Sequence, residues 1–340
     1  MDFGGTKVAL ATADLAGRRL AARRLPARAA DGADAVVERA LAAARDLIAQ
    51  TTSRTGSPLV ATAATSPGIV LPGRILLAPN NPGWDHLALE AAIRRGLRTD
   101  KAAAGNDVKA AALAEARWGT LAGRGPGMFL NIGTGLAAAF IVDGQVISGA
   151  HGTAGELGYS LLGPADGQAF ASGHAPLEEC VSGRALARQV SEVLGEQLTT
   201  AEVFARAGCD RRLQHLLTSA LDTLGAHIAN LALALDPAVI VVSDGMAGAA
   251  LILPRLRATL ERAVPFPPAV RPARFTRDAS LAGAVALALD AARTSPPRDA
   301  EAGGTCRPGV SVRGEEGAMT RPAHGLAAPA AGGIAAEMAE

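Results

Sequence analysis

Apolar runs bounded by turn residues alternate along most of the chain with stretches whose apolar positions recur every three or four residues. The recurring pattern predicts amphipathic helices and is clearest at residues 33–50 and 213–235. The short apolar runs predict strands at residues 8–13, 128–132, 138–144 and 238–243. Alternating strands and helices are typical of layered α/β proteins.

The last part of the chain, from about residue 294 to residue 340, lacks this pattern. It consists mainly of Pro, Gly, Ala and isolated charges. Such a segment cannot bury enough apolar surface to fold, so we predict a disordered tail. The total length of 340 residues exceeds that of one average domain and predicts two folded domains before the tail.

Composition narrows the classes of function. Hydrophobic residues make up 49% and charged residues 19% of the chain, which predicts a soluble globular protein. Aromatic residues are only 3%, so a base-stacking surface for nucleic acid is hard to build. The net charge is +1, which provides no basic surplus for a phosphate backbone. We therefore expect no nucleic-acid partner.

The chain also lacks the usual signals for membranes and disulfides. No uncharged apolar run approaches the roughly 18–20 residues that span a bilayer, and no signal-peptide pattern begins the chain, so we expect a cytoplasmic protein without a membrane partner. Its three cysteines lie far apart and form no C-x-x-C pair, which favours reduced thiols; they are Cys180, Cys209 and Cys306.

A weak internal repeat is more informative. Asp2 and Asn131 begin the glycine-rich segments DFGGT and NIGTG, and the strands that follow end at Asp14 and Asp143, with both pairs 129 residues apart. Glycines permit positive φ and leave backbone N–H groups uncovered, so two facing turns can hold a polyphosphate between them. The repeat predicts a nucleotide in a cleft between two similar domains. Two ordinary hairpins in a glycine-rich chain are the alternative.

Several motifs occur together in one order. They are DFGGTK (2–7), PGIV (67–70), APNNPGW (78–84), NDVKAAALAE (106–115), GTG (133–135), GAHGTAGELG (149–158) and LEECVSGRAL (177–186). The chain resembles the ROK family of repressors and sugar kinases over about residues 1–293. The resemblance implies an α/β, two-domain, actin-like or hexokinase-like ATPase fold, with RNase H-like domains and a cleft between them. It places these domains at residues 1–115, completed by a helix at about 280–293, and at residues 116–293.

The resemblance implies ATP and Mg²⁺ as cofactors, with polyphosphate as the alternative phosphoryl donor. It places Asp2 near the metal-bound phosphates and Gly245 near the adenosine. The phosphate-binding positions it implies lie in the two glycine turns: Gly4, Gly5, Thr6, Lys7, Gly133, Thr134 and Gly135. The second turn alone could pass for a dinucleotide fingerprint, but a strand rather than a helix is predicted after it. No P-loop motif is present.

The resemblance also makes Asp107 the catalytic base. Phosphoryl transfer to a hydroxyl needs a carboxylate that orients the hydroxyl and accepts its proton. The implied substrate-binding residues are Asn80, Asn106, Glu156, Tyr159 and Glu178. Structural alternatives are a helix cap for Asn106 and a solvated helix start for Glu178. Trp84 can be either a sugar contact or a wedge that fixes its loop.

The chain departs from the family at the zinc site that most members carry. Tyr159 stands where the family has a zinc-binding histidine, and GPADGQAFASGHAP (163–176) stands where its cysteines belong. Cys180 and His174 cannot complete the four ligands of structural zinc, so we predict no zinc. That histidine also borders O1 and O2 of the sugar in family kinases, so Tyr159 predicts altered recognition of that edge.

The start of the chain differs from the family as well. Only Met1 precedes Asp2, so we expect no DNA-binding head of the kind found in ROK repressors. The first hairpin also needs an apolar strand before Asp2, which leads us to expect a misassigned start; a truncated or degenerate paralogue is the alternative.

The resulting hypothesis is a kinase that phosphorylates the primary hydroxyl of a hexose, as a glucokinase does. Alternatives are a kinase of a C7-cyclitol or aminosugar in actinobacterial natural-product biosynthesis, and a non-catalytic sugar-binding regulator. A homodimer is expected from the resemblance alone.

Overall fold

The computed structural model describes residues 1–78, 83–165, 167–207, 209–244 and 249–294. The strands are β1 (Asp2–Phe3), β2 (Lys7–Ala13), β3 (Arg19–Pro26), β4 (Thr62–Ser66), β5 (Ile69–Leu71), β6 (Arg74–Leu76), β7 (Ala102–Asn106), β8 (Gly127–Ile132), β9 (Leu136–Val142), β10 (Gln145–Val146), β11 (Val239–Asp244) and β12 (Ala269–Pro272). The helices are α1 (Ala33–Thr55), α2 (Leu89–Leu97), α3 (Asp107–Trp118), α4 (Pro176–Val181), α5 (Gly183–Leu194), α6 (Thr200–Arg206), α7 (Arg211–Leu235), α8 (Ala249–Ala263) and α9 (Ala279–Arg293).

Two five-stranded sheets share one topology. The first sheet has the order β3-β2-β1-β4-β7 and the second has the order β10-β9-β8-β11-β12. In each sheet, the central strand forms an antiparallel hairpin with the next strand and pairs in parallel on its other side. The internal repeat predicted from the two glycine-rich segments is therefore confirmed as two similar sheets.

Local sequence signals set most element boundaries. The helix predicted at residues 33–50 continues to Thr55 and ends where Gly56 adopts φ 70°. The strand predicted at residues 138–144 is wrong at its end, because it stops at Val142. Asp143 and Gly144 have φ values of 51° and 74° and form the tight turn into β10.

Two helices lie between the sheets. α9 packs on β4 and β7 of the first sheet, and α3 packs on β9 of the second sheet as well as on α9. The helices approach closely at Gly283, where an added Cβ would lie 2.1 Å from the carbonyl of Ala110. Arg117 of α3 donates to both carboxylate oxygens of Asp290 in α9, at 2.7 and 2.8 Å. This packing fixes the helix that begins at Asp107.

The outer faces of the sheets are covered by other helices. α1 packs on β2 and β3, and α2 packs on β4 and β7. On the second sheet, Met128 and Leu130 join a core that includes α7, whereas Phe129 faces the cluster formed with α3. Alternate residues of one buried strand therefore contribute to two different cores.

α7 is the one described helix that is long and apolar enough to cross a membrane by length and composition. Asp222 lies near its middle, which is why no uncharged run of that length was found in the sequence. Its apolar stripe, including Leu213, Leu224 and Ile228, is fully buried in the core of the second sheet.

Some predictions concern residues outside the described ranges. These are the substrate position Asn80, the adenosine position Gly245, and the tail, of which only Thr294 is described. Cys306 also lies outside these ranges. The two described cysteines, Cys180 and Cys209, are free thiols, as predicted.

Candidate active site

Asp107 stands at the junction of β7 and α3. Asn106 ends β7 and caps α3, because its Oδ1 accepts a hydrogen bond from the Lys109 amide at 2.9 Å. The Asn106 Nδ2 donates to the Gly68 carbonyl at 3.0 Å. The cap predicted for Asn106 is therefore present, and it orients the first turn of the helix that carries Asp107.

The Asp107 carboxyl has an unusual proton affinity. Although part of the residue is accessible to solvent, desolvation of its carboxyl raises the pKa to about 6. The negative charges of Asp2 and Glu156 also raise this pKa, whereas the hydrogen bond from the Val108 amide lowers it. A carboxylate with a pKa near neutrality is suited to accept and release a proton.

Asp2 reaches the same site from the central strand of the first sheet. β1 pairs with β4 through Asp2 and Thr65, and β4 pairs with β7 through Ser66 and Asn106. The carboxyl ends of these parallel strands therefore meet at one edge, where α/β proteins bind ligands. The Thr65 hydroxyl donates to Asp2 Oδ1 at 3.0 Å, and burial raises the pKa of Asp2.

Positive φ does not explain the glycines of the two turns. None of Gly4, Gly133 and Gly135 adopts positive φ, so the positive φ expected at these positions is wrong. Space limits the side chain at Gly4 and Gly135 but not at Gly133, where the nearest atom to an added Cβ is 3.7 Å away. An added Cβ would lie 3.2 Å from the Lys7 carbonyl at Gly4, and 2.8 Å from Glu178 Oε2 at Gly135. The other predicted phosphate positions are exposed at these turns: Gly5, Thr6, Lys7 and Thr134.

A helix amino terminus lies beside the second glycine turn. The amide of Gly183, the first residue of α5, donates to the Gly133 carbonyl at 2.9 Å. The Ser182 hydroxyl caps the helix by accepting from the Ala185 amide at 3.2 Å. The positive end of a 12-residue helix therefore lies next to the turn and favours an anion there.

Glu178 is bonded to the second sheet. Its Oε2 accepts a hydrogen bond from the Leu136 amide at 2.9 Å, directly after the second glycine turn. An added Cβ at Gly158 would lie 3.1 Å from the Glu178 Cβ, so this side chain is closely packed. The alternative of a merely solvated helix start is wrong for Glu178. This bond connects the predicted sugar ligand to the predicted phosphate turn.

Glu156 lies on a loop held against β9. Gly155 has φ 90°, and an added Cβ there would lie 2.0 Å from the Ala138 carbonyl, so this turn requires glycine. Burial raises the pKa of Glu156, the nearby Glu178 charge raises it further, and Lys109 lowers it. The charge of Glu156 also raises the pKa of Asp107, so the loop brings a carboxylate of the second half near the predicted base in the first half.

Tyr159 lies near both of these glutamates. Burial raises the pKa of its hydroxyl, and the charges of Glu156 and Glu178 raise it further. Its ring meets the ring of Phe170 edge-on, with the centroids 5.2 Å apart. No group of three or more His, Cys, Asp or Glu side chains in the described ranges could hold a metal ion. The absence of zinc stays a prediction.

Known proteins match nearly the whole folded part of the chain. The model of the ROK family matches residues 1–291. The chain belongs to the ROK family. An N-acetylmannosamine kinase from Salmonella heidelberg is 32% identical over 296 residues, which cover 85% of this chain and 97% of that protein.

Solved structures agree with this assignment. The ROK hexokinase from Thermus thermophilus is 29% identical, has a TM-score of 0.71, and is matched over 84% of this chain and 96% of its own. A ROK glucokinase from Streptomyces griseus, in complex with glucose and AMPPNP, is 25% identical with a TM-score of 0.69, over 85% and 98% of the two chains. The chain thus has the two-domain ROK fold and is a sugar kinase, an ATP-binding transferase.

Lys109 is a site residue of this ROK kinase that sequence reasoning missed. Its ammonium donates to the Gly152 carbonyl, and burial lowers its pKa although the Glu156 charge opposes this shift. A lysine in the first turn of a helix is disfavoured by the helix dipole, which was the available signal. Lys109 connects α3 to the loop that carries Glu156.

Trp84 is a structural wedge in this ROK kinase. It is 3% exposed, and its ring meets the ring of Phe3 edge-on with the centroids 5.5 Å apart. Phe3 directly follows Asp2 in β1, so this contact stabilises the backbone at the site. Of the two interpretations from the sequence, the wedge is the one that the packing supports.

Proposed function

We propose that this kinase transfers the γ-phosphoryl group of ATP to the primary hydroxyl of a hexose. The observation that carries the proposal is Asp107, a carboxyl with a pKa raised to about 6 beside Asp2 and Glu156, at the edge where the first sheet ends. A base in this range accepts a hydroxyl proton as phosphoryl transfer proceeds.

The phosphates of ATP are assigned to the two glycine turns. The exposed residues of these turns, which are Gly5, Thr6, Lys7 and Thr134, supply donors, and the amino terminus of α5 adds its positive dipole. The amides of Gly4 and Gly133 already donate to carbonyls within their own turns. Asp2 suits Mg²⁺, because it is a half-buried oxygen ligand with a raised pKa that a divalent cation would offset. When bound with ATP, Mg²⁺ would neutralise part of the negative charge of the phosphates.

The sugar is assigned to the carboxylates of Asp107, Glu156 and Glu178. Asp107 orients the acceptor hydroxyl and takes its proton while the new O–P bond forms and the bond to ADP breaks. Glu156 accepts bonds from neighbouring hydroxyls, as a carboxylate can bind two at once. Glu178 offers Oε1, since its Oε2 is held by the Leu136 amide. Asn106 and Tyr159 complete the described part of this sugar site.

An N-acylated aminosugar is the second candidate substrate. It is favoured by the 32% identity to the Salmonella N-acetylmannosamine kinase over nearly its full length. Tyr159, near Glu156 and Glu178, offers an aromatic ring and a hydroxyl at the predicted O1/O2 edge of the sugar. This edge is where an aminosugar differs from glucose.

A substrate panel tests both candidates. Sugar phosphate is measured with ATP or polyphosphate as donor, for glucose, mannose, N-acetylmannosamine, N-acetylglucosamine and a C7-cyclitol. Phosphorus NMR locates the phosphate on the product. We expect a primary phosphate ester of one hexose or aminosugar, formed with ATP. Binding of a sugar without any phosphorylated product would replace the kinase proposal with that of a sugar-binding regulator.

A further inference from the structure

The loop that carries Glu156 is attached to both halves of the protein. We call residues 149–156 the Glu156 loop. Near its end, the Gly155 carbonyl accepts a hydrogen bond from the Ala138 amide of β9 at 2.7 Å. In its middle, Gly152 approaches β5, because an added Cβ there would lie 3.2 Å from Ile69 Cγ2. A loop of the second half therefore also contacts a strand of the first half.

Lys109 of α3 strengthens this contact. Its ammonium donates to the Gly152 carbonyl. Its amide donates to Asn106 Oδ1 at 2.9 Å, and Asn106 Nδ2 in turn donates at 3.0 Å to the carbonyl of Gly68, which directly precedes Ile69. The first turn of α3 and β5, which are bonded to each other through Asn106, therefore both contact the Glu156 loop at Gly152.

The position of Lys109 is an unfavourable one for a lysine. It lies in the first turn of α3, where the positive end of the helix dipole opposes a cation. Its side chain is also half-buried, and the loss of hydration lowers the pKa of its ammonium. The Gly152 carbonyl and the charge of Glu156 offset these two costs. Both groups that stabilise the ammonium therefore belong to the Glu156 loop.

The charge of Lys109 also acts on Glu156. Burial and the charge of Glu178 raise the pKa of Glu156, whereas the ammonium of Lys109 lowers it. The ammonium therefore favours the ionised carboxylate, which is the form that accepts hydrogen bonds from two hydroxyls at once. Its own hydrogen bond goes to the backbone of the loop. Lys109 thus influences both the place and the charge of Glu156.

We propose that Lys109 is a positioning residue for sugar binding, which holds the Glu156 loop on α3 and places a positive charge beside the Glu156 carboxylate. This role rests on the proposed function, because it takes Glu156 as a ligand of the sugar. The bond of the ammonium is to the Glu156 loop and not to either glycine turn, so its effect is on the sugar rather than on the nucleotide. Loss of Lys109 should therefore weaken sugar binding and leave the transfer step nearly intact.

Three variants of the full chain test this role. Lys109→Met keeps an unbranched side chain but removes the charge and the donors, whereas Lys109→Arg keeps both. Lys101→Met is the matched control. The ammonium of Lys101 is also half-buried and also donates to a backbone carbonyl, that of Ala292 at 2.6 Å. Lys101 precedes β7, at the end of that strand opposite to Asn106.

Hydrogen exchange in a peptide that covers residues 148–157 measures the attachment of the loop without any ligand. We expect exchange there to be about fivefold faster in Lys109→Met and within about twofold of the parent in Lys109→Arg, because only the first removes the bond to Gly152. Lys101→Met should leave exchange in this peptide unchanged. Unchanged exchange in Lys109→Met would overturn the proposal, whatever the variant does with sugars.

Steady-state kinetics with glucose and with N-acetylmannosamine then measures the effect on the sugar. For the sugar that the parent phosphorylates, KM should rise about tenfold in Lys109→Met, while kcat falls less than about threefold and KM for ATP stays the same. Lys109→Arg should restore most of the sugar affinity, and Lys101→Met should match the parent.

The outcomes separate this role from the proposed function. A fall in kcat with an unchanged KM for the sugar, or a rise in KM for ATP alone, would overturn the role of Lys109 and leave the kinase proposal in place. If the parent phosphorylates neither sugar nor any other member of the panel, the proposed function fails, and sugar positioning by Lys109 fails with it. The exchange experiment still shows in that case whether Lys109 holds the Glu156 loop.

Discussion

The two sheets of this ROK kinase share a strand order but differ in their centres. β8 pairs with β11 over six residues, and Met128, Phe129 and Leu130 within it are fully buried. β1 pairs with β4 at a single residue. β1 consists of Asp2 and Phe3 alone and carries Asp2 to the candidate site. The comparison shows that a central strand of two residues still places a carboxylate at the candidate site, whereas the longer β8 contributes mainly buried apolar side chains.

The two halves also divide the chemistry. The first half supplies Asp2 of β1 and Asp107 at the start of α3, and the second half supplies Glu156 from a loop and Glu178 from α4. Lys109 of α3 joins the halves through its bond to the Gly152 carbonyl and its charge beside Glu156. The assigned base therefore comes from the first half, whereas the two glutamates assigned to the sugar come from the second half, so their contributions can be tested separately.

The largest effect on turnover is expected at Asp107, which directly follows β7 of the first sheet. Asp107→Asn should lower turnover by about 10²–10⁴-fold, because the amide cannot accept the hydroxyl proton. Steady-state kinetics measures this loss. The variant should be as stable as the parent or more stable at pH 7: the folded pKa of Asp107 lies above its unfolded value, so ionisation as pH rises toward 6 destabilises the fold.

Asp143→Asn is the matched control for this substitution. Asp143 is exposed in the β9–β10 turn with φ 51°, a conformation that asparagine also tolerates. It should keep both turnover and stability. Near-parental turnover of Asp107→Asn would show that another group is the base.

The next largest effect is on stability, and it compares how tightly the two sheets are packed. Ala139→Leu, at a fully buried position in β9, should lower the free energy of unfolding by about 1–3 kcal/mol through overpacking. Ala288→Leu in α9 adds the same atoms beside a cavity of about 800 Å³, which residues 10–13 of β2 and Leu47 of α1 also line. It should lower the free energy of unfolding by less than about 1 kcal/mol, or raise it. Urea unfolding of the 340-residue chain measures both. Equal losses would mean that the first sheet is as tightly filled as the second.

A smaller effect distinguishes the two glycine turns. Gly135→Ala must displace Glu178 and weaken its bond to the Leu136 amide, so kcat/KM should fall about tenfold. Gly4→Ala faces only a 3.2 Å contact with the Lys7 carbonyl and should cost about two- to threefold. Kinetics with varied ATP and varied sugar checks this order. A larger loss for Gly4→Ala would reverse the ranking of the turns.

The smallest effect lies in the pH profile. The acid limb of kcat/KM should rise with pH through about 6 as Asp107 loses its proton. Asp2→Asn should move this limb to lower pH, since the Asp2 charge raises the pKa of Asp107, and Glu156→Gln should move it by a smaller amount. If the acid limb stays at the same pH in both variants, the group that titrates in this limb is not Asp107.

Local features were predictable from the sequence. The glycine motifs and their equal spacing indicated two similar sheets, and the Asn106 cap followed from an Asn-Asp pair before a helical pattern. The positive φ expected at Gly4, Gly133 and Gly135 was wrong, and at Gly135 an added Cβ would instead meet Glu178, a residue far along the chain. The hydrogen bond of Glu178 could not be predicted from the sequence, because its partner Leu136 lies 42 residues away and no local pattern shows such a pair.

The sequence by itself determined the strands near residues 8–13, 128–132 and 238–243, the helices near 33–50 and 213–235, the Asn106 cap, and the motif order that indicates the family. Only the tertiary structure decided the chemistry of Asp107. Its pKa depends on desolvation and on charges from Asp2 and Glu156, which strand register and loop packing bring together from remote parts of the chain.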